Sequence, residues 1–299
     1  MLIKAKIALQ IPHKAERYFS FLLRQDLANE PSQYRRPKKI LAVSDIEGNF
    51  HSFVRLLIKA KVVNKYLQWT FEDNHLVVAG DCFDRGEQVT ECLWLIYSLE
   101  EKARKEGGYV HFILGNHEIM NMNGDWRYVH PKYAERKKGS TTALYDGNNE
   151  LWKWLCTKNI IEKIDDILFV HAGIANELVQ LRLSVSEINK LARPYYTRSG
   201  ETFADPVVSL LYGGDTSPFW YRGYYLGTAS EEQVDATLKH FGVKTIITGH
   251  TLIGQVDSFF NGKVININTD HASGNSEALL IRKDEFYRVT TEGKRERIK

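Results

Sequence analysis

Five apolar runs, each closed by a residue that can bind a metal ion or a proton, constrain this chain more than any other feature. Ile40-Leu41-Ala42-Val43 leads into Ser44-Asp45-Ile46-Glu47-Gly48, Leu76-Val77-Val78-Ala79 into Gly80-Asp81, and Phe112-Ile113-Leu114 into Gly115-Asn116-His117. Ile167-Leu168-Phe169-Val170 meets His171, and Ile246-Ile247-Thr248 meets Gly249-His250. Unbroken apolar runs of this length read as strands buried on both faces. Glycine beside the polar residue permits a tight turn or a close backbone approach. Five strand ends bearing oxygen and imidazole donors predict one metal centre at one edge of a sheet.

The segments between these runs read as helices. Phe53, Leu56, Leu57 and Ala60 recur at helical spacing after the first run. Val89, Cys92, Leu93, Ile96 and Leu99 do so after the second, with Gly107-Gly108 as the stop. The β-α-β-α-β order predicts parallel strands with right-handed crossovers, whose ligands bind beyond the carboxyl ends of the strands. Ser230-Glu231-Glu232-Gln233 has the form of a capping box, and Gly242 ends the helix that runs through Val234, Leu238 and Phe241. Asn261-Gly262 is a hairpin signal, and alternation over residues 264–267 and 278–281 predicts antiparallel strands. Residues 135–140 read as a loop and residues 146–149 as a turn. Residues 1–38 read as an N-terminal helical or linker extension, with a helix over residues 15–27 presenting Tyr18, Phe21 and Leu22 on one face. The motif-bearing domain then occupies residues 39–299.

Composition removes several function classes. A length of 299 residues allows one large α/β domain or two modest ones. A formal net charge of +3 gives no reason to expect nucleic acid or an anionic membrane as partner. Three cysteines without CxxC spacing argue against a disulfide scaffold and suit a reducing compartment, so the expected location is the cytoplasm. A cysteine-based phosphatase needs arginine six residues after its nucleophile; the positions after Cys82, Cys92 and Cys156 hold Gln88, Ser98 and Glu162. Neither a Walker loop nor GxGxxG occurs.

The donor types point to hydrolysis at phosphorus. Carboxylates with imidazoles suit Mn²⁺, Fe, Zn²⁺ or Mg²⁺. Two such ions about 3.5–4 Å apart would clamp an in-line displacement and acidify a bridging water. Asp81 is the natural bridging carboxylate, because its strand lies between the others in chain order. Arg85 is suited to bidentate phosphate binding.

In order, Asp45-x-Glu47-Gly48, Gly80-Asp81-x-x-Asp84-Arg85-Gly86, Gly115-Asn116-His117-Glu118, His171-Ala172-Gly173 and Gly249-His250 resemble the GDxHG, GDxxDRG, GNHE, HAG and GH motifs of the phosphoprotein phosphatase (PPP) family of binuclear metallophosphoesterases. The segments Gly115-Asn116-His117-Glu118-Ile119-Met120-Asn121-Met122-Asn123-Gly124-Asp125 and Ser217-Pro218-Phe219-Trp220-Tyr221-Arg222-Gly223-Tyr224 are similar to stretches of the bacterial Shewanella-like phosphatases. The resemblance implies a calcineurin-like α/β fold, a two-sheet sandwich flanked by helices with the site at the strand ends. It implies two divalent ions, Mn²⁺ foremost, with Asp45 and Asp81 on the first and Asp81, Asn116, His171 and His250 on the second. It implies that His117, held by Asp84, protonates the leaving group, and that Arg85, Arg222 and Asn116 hold the phosphate. A metal-bridging hydroxide would attack phosphorus in line, with no phospho-enzyme. The implied substrate is a phosphorylated protein, phosphotyrosine included, or a small phosphoester.

One position departs from the family pattern. Glu47 stands where the family has histidine. As a metal ligand it would take the formal charge of the hydroxide-bridged centre from about +1 to about 0, weakening phosphate attraction and favouring harder ions. Alternatively it turns away and the first ion binds poorly. Two rival functions follow: a dinucleoside-polyphosphate or nucleotide hydrolase on the same motifs, and a pseudophosphatase binding module weakened by Glu47. Glu118 reads as orienting a loop, Cys82 as packing, Asp270 as a turn or a second layer behind the metals, and His51 and His111 as helix and strand residues.

Overall fold

The computed structural model describes residues 4–9, 17–24, 26–134, 149–198 and 203–299. Along the chain the strands are β1 (Lys4–Leu9), β2 (Arg17–Leu22), β3 (Gln33–Tyr34), β4 (Lys39–Val43), β5 (His75–Ala79), β6 (Tyr109–Ile113), β7 (Ile161–Ile164) and β8 (Ile167–Val170). They continue with β9 (Thr245–Thr248), β10 (Asp257–Phe259), β11 (Val264–Asn266), β12 (Glu277–Arg282), β13 (Glu285–Thr290) and β14 (Arg295–Arg297). The helices that matter most to the site are α1 (Phe50–Lys59), α2 (Val89–Lys105) and α3 (Asn116–Met122). Two six-stranded sheets form, one in the order β14-β13-β12-β4-β5-β6 and the other β10-β11-β9-β8-β7-β3. β4, β5 and β6 are parallel, as are β8 and β9, so five motif-bearing ends can point one way.

Alternation of side chains explains why these runs are apolar throughout. Ile40, Ala42, Val77, Ala79 and Ile113 of the first sheet pack against Ile164, Ile167, Phe169, Ile247 and Ile265 of the second. The alternate residues Leu41, Val43, Leu76, Val78 and Phe112 join Phe53, Leu56 and Leu57 of α1 and Cys92, Leu93 and Ile96 of α2. A strand covered on both faces takes a polar residue before its end only where a buried partner satisfies it. The expected two-sheet α/β sandwich flanked by helices is therefore the fold. Ser230 accepts from Gln233 N–H and Gly242 ends that helix at φ 60°, as their residue types predict. The turn at Asn261-Gly262 joins the antiparallel strands β10 and β11.

The segment at residues 15–27 differs from its expected helix. Residues 17–22 form β2, antiparallel to β1. Tyr18, Phe21 and Leu22 satisfy a helical spacing, but aromatic residues also favour strands, and so short an apolar run does not distinguish the two. Phe21 stacks on Trp94 of α2 at 4.7 Å, and this long-range contact needs no local helix. The loop and turn expected at residues 135–140 and 146–148 lie outside the described residues. Among the described residues, no helix is long and apolar enough to cross a membrane.

Remote from the motif ends, a polar seam joins the two sheets. His111 of β6 lies 2.6 Å from Glu162 of β7 through Nδ1 and 2.9 Å from His75 Nδ1 of β5 through Nε2. Burial pushes Glu162 up to about 8, and pushes His75 and His111 each down to about 3. Burial thus favours the uncharged form of all three, and in that form a carboxyl O–H on Glu162 would donate to the His111 ring.

Candidate active site

The motif residues meet at one cavity of about 560 Å³. Asp45, Glu47, Asp81, Arg85, Asn116, His117, Arg222 and His250 line it. Asp84 and His171 stand just behind, nearly inaccessible to solvent. Asp45 follows β4, Asp81 follows β5, Asn116 and His117 open α3 after β6, His171 follows β8 and His250 follows β9. Both sheets contribute donors.

Tight backbone turns aim these side chains. Asp45, Asp81 and His250 adopt φ of 52°, 54° and 63°, and Glu47, Asp84 and Arg85 adopt 46°, 69° and 55°. Left-handed non-glycine residues are costly and survive where neighbouring structure holds them. Here the loops are laced together. Asp45 N–H donates to Gly80 O at 2.9 Å, Glu47 N–H to Asp81 O at 2.9 Å and Gly249 N–H to His171 O at 2.7 Å. Glycine is needed for close approach at two of these points. A Cβ at Gly115 would sit 2.2 Å from Asp81 Oδ1, and one at Gly249 would sit 2.4 Å from Asp45 Oδ2.

Glu118 anchors two of the loops from within. Its carboxylate accepts N–H groups of Asp81 and Cys82 at 2.8 Å, Phe83 at 3.3 Å and Gly115 at 2.7 Å. It orients the loops, as its sequence position suggested. Cys82 is fully buried packing.

His117 is held at two atoms. Its backbone N–H donates to Asp81 Oδ1 at 2.9 Å, and its Nδ1 lies 2.6 Å from Asp84 Oδ2. Burial opposes a charge on this ring, but the charge of Asp81 and the hydrogen bond to Asp84 outweigh it and raise the pKa above the ordinary imidazole value. With Nδ1 engaged, Nε2 is the proton-bearing atom left for the cavity.

The remaining donors fit a metal site. Among the described residues, Asp81, His171 and His250 place one donor atom each within 4.8 Å of one another. His171 Nδ1 donates to Ala79 O at 2.8 Å, which aims its Nε2 into the cluster, 2.9 Å from Asn116 Oδ1 and 3.1 Å from Asp81 Oδ2. Burial opposes a charge on this ring, but Asp81 outweighs it and raises the ring to about 9, so in the protein alone Nε2 carries a proton that a bound ion would replace. His250 Nε2 is buried without any hydrogen-bond partner. Buried polar atoms are rarely left so, and a cation would supply the missing partner. In the protein alone, burial and the charge of His171 push His250 down to about 2, and burial pushes Asp45 up to about 6.

Glu47 reaches the cavity, but its carboxylate pairs with the Arg85 guanidinium and is not part of the three-donor group. Asp270 accepts the Ser273 N–H at 3.0 Å, a turn role, although it also borders the cavity. His51 is a helix residue and His111 a strand residue, as expected.

Three contributors escaped sequence reasoning. Asn121 donates to Asp84 Oδ1 at 2.9 Å; its place four residues after His117 becomes a signal only once α3 is known. Tyr128 accepts the Arg85 backbone N–H at 2.9 Å through its carbonyl, and its ring lies 5.3 Å from that of His117. His271 bonds Ser44 O through Nε2 at 3.0 Å and so fixes the turn into Asp45.

Known proteins resemble this chain in sequence and fold. A family model described as calcineurin-like phosphoesterase matches residues 38–254. The crystal structure of a cold-active protein-tyrosine phosphatase from a psychrophilic Shewanella sp. superposes with a TM-score of 0.86 at 32% identity, covering 99% of each chain. An uncharacterized protein of Schizosaccharomyces pombe is 30% identical over 236 residues, 75% of this chain and 70% of the relative. Shewanella-like protein phosphatase 2 of Arabidopsis thaliana is 25% identical over 323 residues, 87% of this chain and 79% of the relative.

Proposed function

Because this chain belongs to the calcineurin-like phosphoesterase family and is a phosphatase of the Shewanella-like type, we propose that it cleaves phosphate monoesters on proteins, phosphotyrosine among them. One observation carries the reading. His117, positioned by Asp84, borders the same cavity as Arg85, Arg222 and the buried Asp81–His250 donors. A proton donor, anion holders and a cation site within one cavity are the parts that hydrolysis of a phosphate ester needs.

Each residue then has a role. Asp45, Asp81, Asn116, His171 and His250 would hold two divalent ions, Mn²⁺ foremost. When bound, such ions supply Lewis-acid polarisation of phosphate and a water of lowered pKa. Arg85 and Arg222 bind the non-bridging phosphate oxygens and offset charge that builds in the transition state. His117 gives the proton on Nε2 to the departing ester oxygen. Asp84 keeps that ring oriented and favours its protonated form. Glu118 keeps the Asp81 and Gly115 backbones in place and touches no substrate.

Turnover of p-nitrophenyl phosphate with Mg²⁺, Mn²⁺, Zn²⁺ and Fe²⁺ tests the reading. Activity should appear with at least one ion, highest with Mn²⁺, and be abolished in Asp81→Asn. No turnover with any ion would sink it and leave the pseudophosphatase. Phosphotyrosyl peptide should be hydrolysed faster than diadenosine tetraphosphate; the reverse order would establish the nucleotide hydrolase instead.

A further inference from the structure

Glu47 and Arg85 are brought together by backbone before side chains enter. Gly48 N–H donates to Cys82 O at 3.0 Å, and Gln88 N–H donates to Gly48 O at 3.2 Å. The two loops therefore run side by side on either side of the pair. A Cβ at Gly86 would fall 2.2 Å from Glu47 O, so the loops touch at the residue next to Arg85. Both Glu47 and Arg85 are left-handed, which turns both side chains to the cavity. There the Glu47 carboxylate, with its side chain 16% exposed, pairs with an Arg85 guanidinium whose side chain is 51% exposed. Tyr128 holds Arg85 from the other side, through its carbonyl and with its ring centroid 5.6 Å from the guanidinium carbon. Arg222, the other guanidinium on the cavity, has no carboxylate partner among the described residues.

The pair sits where an anion would otherwise bind. A guanidinium that offers one edge to a carboxylate keeps fewer donors for phosphate and has its charge offset. We propose that Glu47 is a positioning residue acting through Arg85, an internal carboxylate that holds the guanidinium toward the cavity and that incoming phosphate must displace. This rests on the phosphate-binding role proposed for Arg85. Glu47 then weakens retention of product phosphate, while Tyr128 keeps Arg85 in place once the carboxylate has been displaced. Its work is in anion competition and not in holding an ion.

The test uses the metal-loaded protein and reads binding directly. Orthophosphate is titrated calorimetrically into wild type and Glu47→Gln, and metal per chain is measured by elemental analysis. Glu47→Gln should bind phosphate about 1.5- to fivefold more tightly, the scale of a partly exposed ion pair, with unchanged metal content. The gain should vanish in an Arg85→Ala background, because the effect passes through that residue. KM for p-nitrophenyl phosphate should fall with the phosphate Kd, and kcat should not rise. Loss of bound metal in Glu47→Gln, phosphate affinity equal to or weaker than wild type, or the same gain without Arg85 would each overturn the proposal. If Glu47→Gln does not fold, Glu47→Asp keeps the charge on a shorter arm and should show a smaller gain in the same direction; no gain overturns the proposal as well. The titrations decide the proposal without turnover, whereas a lack of turnover overturns only the phosphatase reading.

Discussion

His117 shows how much a single residue's function depends on those that hold it. Its Nδ1 is fixed by Asp84, and Asp84 is fixed by Asn121. Asp84→Asn keeps the shape but removes the charge and can present an amide N–H to the ring, which favours the wrong tautomer. We expect kcat to fall about 10²-fold, within the range for lost acid–base assistance, with KM little changed. Asn121→Ala removes its neutral-to-charged hydrogen bond to Asp84 and a second hydrogen bond to the His117 carbonyl, leaving the Asp84–His117 contact itself in place. We expect a loss of about tenfold in kcat, consistent with roughly 1.5 kcal/mol for such a bond. Steady-state kinetics at constant metal content checks both; a rise in KM with kcat unchanged would place Asp84 in substrate binding instead. Asp84 and His117 were legible as residue types at fixed spacing. Asn121 was not, since asparagine inside a helix is ordinary until the neighbouring loop is folded against it. The partner of Glu47 was equally hidden, because Glu47 and Arg85 face each other only after β4 and β5 pair.

At the scale of elements, the seam between β5, β6 and β7 makes the fold sensitive to pH at a distance from the cavity. His75 and His111 have folded pKa values of about 3, below their ordinary 6.5. Their contribution is present above pH 6.5 and is lost as pH falls, because the unfolded chain binds protons that the fold excludes. Glu162 runs the other way. Its folded pKa of about 8 lies above the ordinary 4.5, so its contribution is complete below pH 4.5 and is lost as pH rises toward 8. Between about pH 4.5 and 6.5 the unfolded chain holds two histidine protons and the seam holds one on Glu162, so stability rises with pH. From about 6.5 to 8 only the Glu162 proton differs, and stability falls. Glu162→Gln keeps a donor toward His111 Nδ1 and cannot ionise. Its unfolding free energy, from urea melts across this range, should lose the alkaline decline by about one proton and keep the acid one. An unchanged alkaline slope would mean that Glu162 is ionised in the folded protein. The β1–β2 hairpin carries the contrary lesson about elements. Lys4–Leu9 and Arg17–Leu22 pair with each other and rest on α2, and nothing local in six residues distinguishes that strand from a turn and a half of helix.

Across the whole molecule, what the sequence displayed was what local physics dictates: apolar runs with no polar interruption, glycines at their ends, and caps on helices. These carried the sandwich, the parallel strands β4, β5 and β6, and every residue of the cavity's donor set. Which sheet holds which run was not legible, because β8 and β9 look like β4 and β5 until pairing separates them. That division has a thermodynamic consequence. Asp45, Asp81 and Asn116 hang from the first sheet, while His171 and His250 hang from the second. Ions held by both sets, as proposed, would join the two layers, and such a site is absent from the unfolded chain. Binding therefore stabilises the fold by mass action, about 2.7 kcal/mol at a free-ion concentration one hundred times Kd. For a chain of this size that corresponds to a Tm roughly 4 °C higher. Chelation should lower the wild-type Tm by that amount, and Mn²⁺ should restore it. His250→Ala removes a buried ring that packs on His171 and Trp220, so its metal-free Tm should itself be lower than wild type; the informative readout is the change with ions. The variant's Tm should respond much less to chelator or to Mn²⁺. A wild-type Tm indifferent to chelation, measured by differential scanning calorimetry, would show that no ion spans the two sheets. A His250→Ala protein as ion-responsive as wild type would show that the bridging ion lies elsewhere.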